Sequence, residues 1–161
     1  MSPVQSRLVA LAAGAASVLA FAPFGVYPLA LGAFGVLVHL WMRAGARAAL
    51  WTGFAFGMGL FLAGASWVYV SPSQFGGMPA PLAAVATLGF CVVLASFTAF
   101  AGWLQARFPA ADALRACALI PAAWTLGEWL RMWVLSGFPW LSAGYAATDW
   151  PVQGLDRKSV V

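Results

Sequence analysis

Two ionisable residues interrupt an otherwise apolar stretch, Glu128 and Arg131 in EWLRMWVLSGFPW (Glu128 to Trp140). Spaced i, i+3, they share one face of a helix and can touch. A carboxylate and a guanidinium in apolar surroundings can do two kinds of work. They can neutralise each other as a structural ion pair, or present charge to a substrate, because ionisable groups inside membrane segments are costly and lean towards function. Both readings stay open on these residues alone. Ser136-Gly137 and Phe138-Pro139 should stop the helix, since glycine loosens the backbone and Pro139 cannot donate a hydrogen bond. Trp129, Trp133 and Trp140 add indole rings, which favour the border between lipid and water.

Other chemistry-bearing residues are few. Cys91 and Cys117 have no CxxC or His-linked spacing, and both lie in apolar sequence where cysteine is usually a small buried hydrophobe. His39, the one histidine, sits near the end of an apolar run and reads as an interfacial or packing residue. No metal-ligating set and no cofactor is expected.

The elements that must position Glu128 and Arg131 are membrane helices. The chain is 63% hydrophobic and 7% charged, against roughly 25% charged in a soluble domain. A water-soluble core of this length could not hide so much apolar surface, so membrane lipid is part of the solvent. The formal charge of +4 is spread singly or in pairs between apolar runs. With no basic face or aromatic-interleaved basic stripe, nucleic acid is not an expected partner.

Five apolar runs follow in order. The first, Leu8 to Ala22, comes after Arg7 and imitates a secretory signal with a small-x-small site at Ala20-Phe21-Ala22, but Pro23 should obstruct cleavage. As a helix it covers about 22 Å, short of the roughly 30 Å hydrocarbon core, so a thin span and a re-entrant hairpin are both open. The turn PFGVYP (Pro23 to Pro28) leads to the second run, Leu29 to Met42. Arg43 and Arg47 bracket the turn before the third, Ala48 to about Val70. Within it Gly53, Gly57 and Gly64 fall near one helical face with Gly59 to the side, a spacing that lets helix backbones approach closely. In Ser66 to Pro81, the residues Pro72, Gly76, Gly77, Pro79 and Pro81 are expected to forbid regular structure. That segment is either a shaped, lipid-contacting loop or a connecting turn. The fourth run is Leu82 to Leu104, and the fifth, Leu114 to Leu135, holds Glu128 and Arg131. Leu141 to Leu155, with Tyr145, Asp149 and Trp150, is too short and polar to span again.

Alternating the runs across a bilayer puts Arg7, Arg43, Arg47, Arg107 and Arg115 on one side. The other side receives PFGVYP, the FGGMP loop and the GFPW end. That obeys the positive-inside rule and predicts a cytoplasmic N-terminus. The expected fold class is therefore all-α, a polytopic bundle of about five transmembrane helices.

The segments FAPFGVYPLA, SWVYVS…FGGMPAP and WTLGEWLRMWVLSGFPWLSAGYA resemble, in order and spacing, the N-terminal membrane region of apolipoprotein N-acyltransferase. The resemblance implies a bacterial inner-membrane enzyme with two partners, a phospholipid acyl donor and a diacylglyceryl lipoprotein. It moves an acyl chain from the first to the N-terminal amino group of the second. It further implies a thioester on a cysteine, assisted by a glutamate and a lysine in an outward-facing nitrilase-like domain. The one lysine here is Lys158, and no residue of this chain matches that triad, so no catalytic residue is assigned. What carries over is the outer-face motif as candidate substrate-binding residues: Gly76, Gly77, Met78, Pro79, Glu128, Arg131, Gly137, Phe138, Pro139 and Trp140. The role implied is support of the mouth through which lipid-bearing substrates reach the thiol, with Arg131 a candidate partner for a phosphate.

On this resemblance residues 1–155 form the N-terminal transmembrane domain, inactive by itself, and the nitrilase-like domain expected after Leu155 has no counterpart in the sequence. Residues 156–161, DRKSVV, are expected to be a non-native tail. They place two basic residues on the outer side, and they are one translation of GATCGGAAGAGCGTCGTG, which resembles a widely used sequencing-adapter sequence. The alternative is a free-standing small membrane protein, a transporter subunit or assembly factor. A transporter would want polar groups near the midplane of several helices, and here only the fifth has any.

Overall fold

A computed structural model describes residues 1–134 and 137–147. Ser136, Asp149, Trp150, Lys158 and the 156–161 tail lie outside the described residues. The described chain is all-α, without a strand. Its helices are α1 (Pro3–Ser17), α2 (Tyr27–Met42), α3 (Ala46–Gly64), α4 (Ala80–Gln105), the short α5 (Asp112–Leu114) and α6 (Ile120–Trp133). By length and composition, three segments among the described residues can cross a membrane: Pro3–Ala20, Ala46–Gly64 and Ala80–Gln105. Tyr27–Met42 is a shorter apolar helix.

The first helix begins five residues before its apolar run. Ser2 and Gln5 form a reciprocal capping box, with the Gln5 amide donating to Ser2 Oγ (3.2 Å) and the Ser2 amide to Gln5 Oε1 (2.8 Å). Pro3, with its φ already helical, follows the cap. A turn of 3-10 helix over Val18–Ala20 extends it, so the earlier start gives this element the length that the run from Leu8 lacked.

The segments α5 and α6 form one rod, because the residues at both joints keep right-handed helical angles. Between them Arg115–Leu119 makes a wide π-type turn. Pro121 is the physical cause at hand: it has no N–H, and its ring crowds the carbonyl four residues back. Ser66–Pro81 corrects the expectation of an irregular loop. Ser66–Tyr69 is 3-10 helix and Ser71–Phe75 a wide π-type turn, and Pro81 sits inside the first turn of α4. Only Gly76–Pro79 is irregular, so prolines placed where their missing N–H does no harm permit helical turns.

The helix α3 lies between α1 and α4, and both contacts depend on glycine. A Cβ on Gly57 would strike the side chain of Thr98 and come within 2.8 Å of Ala95 Cα, on α4. One on Gly59 would strike the backbone carbonyl of Leu11, on α1. Gly59 therefore opens a second packing face that the one-face glycine pattern does not include. Thr98 Oγ1 donates across the α3–α4 seam to the Gly53 carbonyl (2.9 Å), an interhelical hydrogen bond of the kind that helps hold membrane helices together.

Aromatic rings close the bundle. Trp124 on α6 meets Phe34 edge-on at 4.8 Å between centroids, Phe56 at 6.1 Å and Trp41 at 6.4 Å, joining α6 to α2 and α3. Trp41 is fully buried and its indole N–H donates to the Ala49 carbonyl of α3 (3.0 Å). Around this core the outer surface stays apolar, with Leu8, Leu11, Leu31, Val85 and Leu88 all exposed. That inverts the soluble arrangement and suits a lipid surround.

Candidate functional site

At one end of the bundle the last two turns of α6 carry Glu128 and Arg131, beside Phe61 of α3 and the returning chain. Arg131 is a charged residue with a side chain only 3% exposed; Glu128 is at 21%. Their closest N–O approach is 4.0 Å, too long for a hydrogen bond. Each instead holds the segment that follows the helix. Arg131 donates through Nη1 to the Trp140 carbonyl and through Nη2 to Ser142 Oγ (3.0 Å). The Ser142 hydroxyl donates in turn to the Pro139 carbonyl (2.9 Å). Glu128 Oε1 accepts from the Ala143 amide (2.7 Å). The guanidinium carbon also lies 5.3 Å from the Phe61 ring centroid on α3, a cation–π distance. The pair is thus two anchors for one loop, joined weakly by charge and strongly by what each binds.

The chain turns back because its backbone permits it. Gly137 has φ +79°, and a Cβ there would strike the Met132 carbonyl, so only glycine fits this reversal. The Phe138 amide then donates to the Arg131 carbonyl (3.0 Å), satisfying one of the open carbonyls at the helix end. Leu141 also has positive φ, at 59°, yet is buried against Gly64. A leucine in a left-handed conformation is strained and persists only where its surroundings hold it, and the anchors on either side, at Trp140 and Ser142, do so.

The other motif residues lie at the same end. Trp67 meets Trp140 edge-on at 6.0 Å, and Phe90 meets Phe138 at 4.9 Å. The GFPW turn is thereby packed between α4 and the Ser66–Tyr69 turn. Gly76 and Met78 donate back to the Ser71 and Pro72 carbonyls, Gly77 has φ +62°, and Pro79 caps α4. Phe75 beside them is 85% exposed. The structure brings Glu128, Arg131 and 137–140 into one unit, and the chain order, between the end of α3 and the start of α4, puts 76–79 at the same end.

Sequence reading missed Ser142, the Ala143 amide and Phe61, which complete the arginine's and the glutamate's surroundings. The spacing of the loop residues held no signal for them, because their contacts depend on the chain reversing. It also missed Trp124, whose indole nitrogen is buried without a hydrogen-bond partner among the described residues. That ring borders a void of about 10 Å³ shared with Thr98, Glu128 and Arg131, about the room that one water needs. Cys91 is buried on α4 and Cys117 is exposed on the wide turn before α6.

A helical bundle with an apolar exterior, membrane-length helices and, among the described residues, one deeply buried cation at an aromatic end defines a polytopic α-helical membrane protein. Residues 13–156 match the family of the apolipoprotein N-acyltransferase N-terminal domain, and the chain belongs to that family. It is 46% identical over 155 residues to apolipoprotein N-acyltransferase of Pseudomonas putida, 44% over 152 residues to that of Coxiella burnetii, and 41% over 151 residues to that of Vibrio parahaemolyticus. These alignments cover 92%, 93% and 92% of this chain. They cover 30%, 31% and 30% of the relatives, so the chain spans less than a third of their length.

Proposed function

We propose that this chain is the membrane-embedded part of an acyltransferase acting at the bacterial inner membrane. The reaction it serves moves an acyl chain from a phospholipid to the N-terminal amino group of a diacylglyceryl-cysteine lipoprotein. The chain contributes no catalytic residue and is inactive by itself; residues 1–155 are its N-terminal transmembrane domain. The N-terminus is cytoplasmic, so the aromatic end faces outward.

The observation that carries this reading is the anchoring of residues 137–143 by Glu128 and Arg131, in a chain of this family. A protein working on two lipid-borne substrates needs a rigid rim at the lipid–water border, where loops would otherwise move freely. Arg131 spends its donors on Trp140 and Ser142, which supports a positioning role beneath the rim rather than a direct grip on a phosphate. Trp67, Trp140, Phe138 and the 76–79 turn form the rim itself.

The test joins this chain to the remaining part of the Pseudomonas putida relative and measures acylation of a diacylglyceryl-cysteine lipopeptide by mass shift. The chimera should acylate and the chain alone should not. Arg131→Leu in an inserted chimera should lower turnover by about tenfold or more, the cost of misplacing a supporting element. Acylation by the chain alone would sink the non-catalytic reading. A stably inserted Arg131→Leu chimera with normal turnover would return the pair to stability alone.

A further inference from the structure

The opposite end of the bundle carries a recess of about 350 Å³, within the size range of small-molecule sites. The start of α1, the last turn of α2 and the first turn of α3 enclose it, and Met1, Arg7, His39, Arg43, Gly45 and Ala48 are on its wall. No carboxylate lines it: the acidic side chains among the described residues are Asp112 and Glu128, and neither is on the wall.

Its cations are uncommitted. Arg7 and Arg43 are exposed, and neither makes a salt bridge or side-chain hydrogen bond among the described residues. Arg7 lies 5.8 Å from the Trp51 ring centroid, a contact that uses none of its N–H donors. Arg115 at the same end is the contrast, with its guanidinium committed to Gln105 and to the Trp41, Met42 and Ala44 carbonyls. The first turn of α3 has no side-chain cap at Gly45, so its open N–H groups add to the same positive field. Two of the membrane-length segments, Pro3–Ala20 and Ala46–Gly64, begin at this wall. The recess therefore sits at headgroup depth, with exposed Leu8 and Leu11 on α1 leading into the hydrocarbon.

We propose that this recess binds a phosphate group, that of an anionic phospholipid headgroup, with Arg7 and Arg43 as its main ligands. The site is separate from the rim at the aromatic end and does not depend on the acyl-transfer reading. Lipid held here would pin the start of α1 to the α2–α3 turn.

The test is native mass spectrometry of the whole chain released from detergent with equal amounts of dioleoyl phosphatidylglycerol and dioleoyl phosphatidylcholine. Phosphatidylglycerol should be retained preferentially. Retention should fall about fivefold for each charge removed, so roughly 25-fold in Arg7→Gln/Arg43→Gln. Arg107→Gln, at the same end but off the wall, should retain it normally. Ala48→Trp keeps every charge and fills the recess, and should lose the lipid; it decides the matter if the double variant does not fold. Equal retention of the two lipids, normal retention in the folded double or Ala48→Trp variant, or equal loss in Arg107→Gln would each overturn the proposal. Displacement of phosphatidylglycerol by millimolar inorganic phosphate would assign the recess to free phosphate and overturn the lipid source.

Discussion

At the aromatic end of the bundle Arg131 is buried with a carboxylate one turn away and two acceptors on a loop that returns to meet it. At the other end Arg7, Arg43, Arg47 and Arg107 are exposed, and half-buried Arg115 donates to carbonyls at the end of α2. The same side chain does different work at the two ends because its surroundings differ in water. Exposed guanidinium groups keep their hydration, cost little and mark the side of the membrane on which they stay. A buried one must replace its lost hydration with protein partners, so it dictates where neighbouring backbone goes. Arg115 stands between these cases, tying the end of α2 to α4 through Gln105, which is 1% exposed.

That contrast can be broken by experiment, most severely at Arg131. Arg131→Leu removes two loop anchors and leaves Glu128 without its neighbour. It should cost about 3–5 kcal/mol, the scale of two lost charge-assisted hydrogen bonds, measured by unfolding in mixed micelles. Glu128→Leu/Arg131→Leu should cost less than the single change if charge dominates. A double variant as unstable as the single would mean that the loop hydrogen bonds carry the effect.

Arg115→Leu should cost less, about 1–3 kcal/mol for acceptors left unpaired, because water at this end can replace part of what is lost. A cost equal to that of Arg131→Leu would erase the distinction between the ends. Smallest of all in stability, within about 0.5 kcal/mol for surface changes, are Gly45→Cys and Gln74→Cys in a background lacking Cys91 and Cys117. Both sites are exposed, and a Cβ at Gly45 meets nothing within 4 Å. An impermeant thiol reagent outside intact cells should label Gln74→Cys and spare Gly45→Cys. Labelling of both would show that the two ends do not face opposite sides.

Composition and residue order alone determined the helical membrane class, the five apolar runs and the gathering of the exposed arginines at one end. These follow from the free energy of transferring each residue between water and lipid, which depends on residue type and barely on neighbours. Helix ends were less legible. The Ser2–Gln5 capping box is written in the sequence outside the apolar run, while the helical turns at Ser66–Phe75 required knowing that Pro72 falls where no N–H is needed. The working details of the site were decided only in three dimensions. Spacing placed Glu128 beside Arg131 and so pointed to an ion pair, but the stronger partners proved to be Trp140, Ser142 and Ala143. Those partners exist because Gly137 reverses the chain and Leu141 fills the space beside Gly64. Gly59 acquired its packing role only once α1 lay against it. Which acceptor a buried donor finds is set by where the folded chain closes on itself, and local sequence carries no record of that distance.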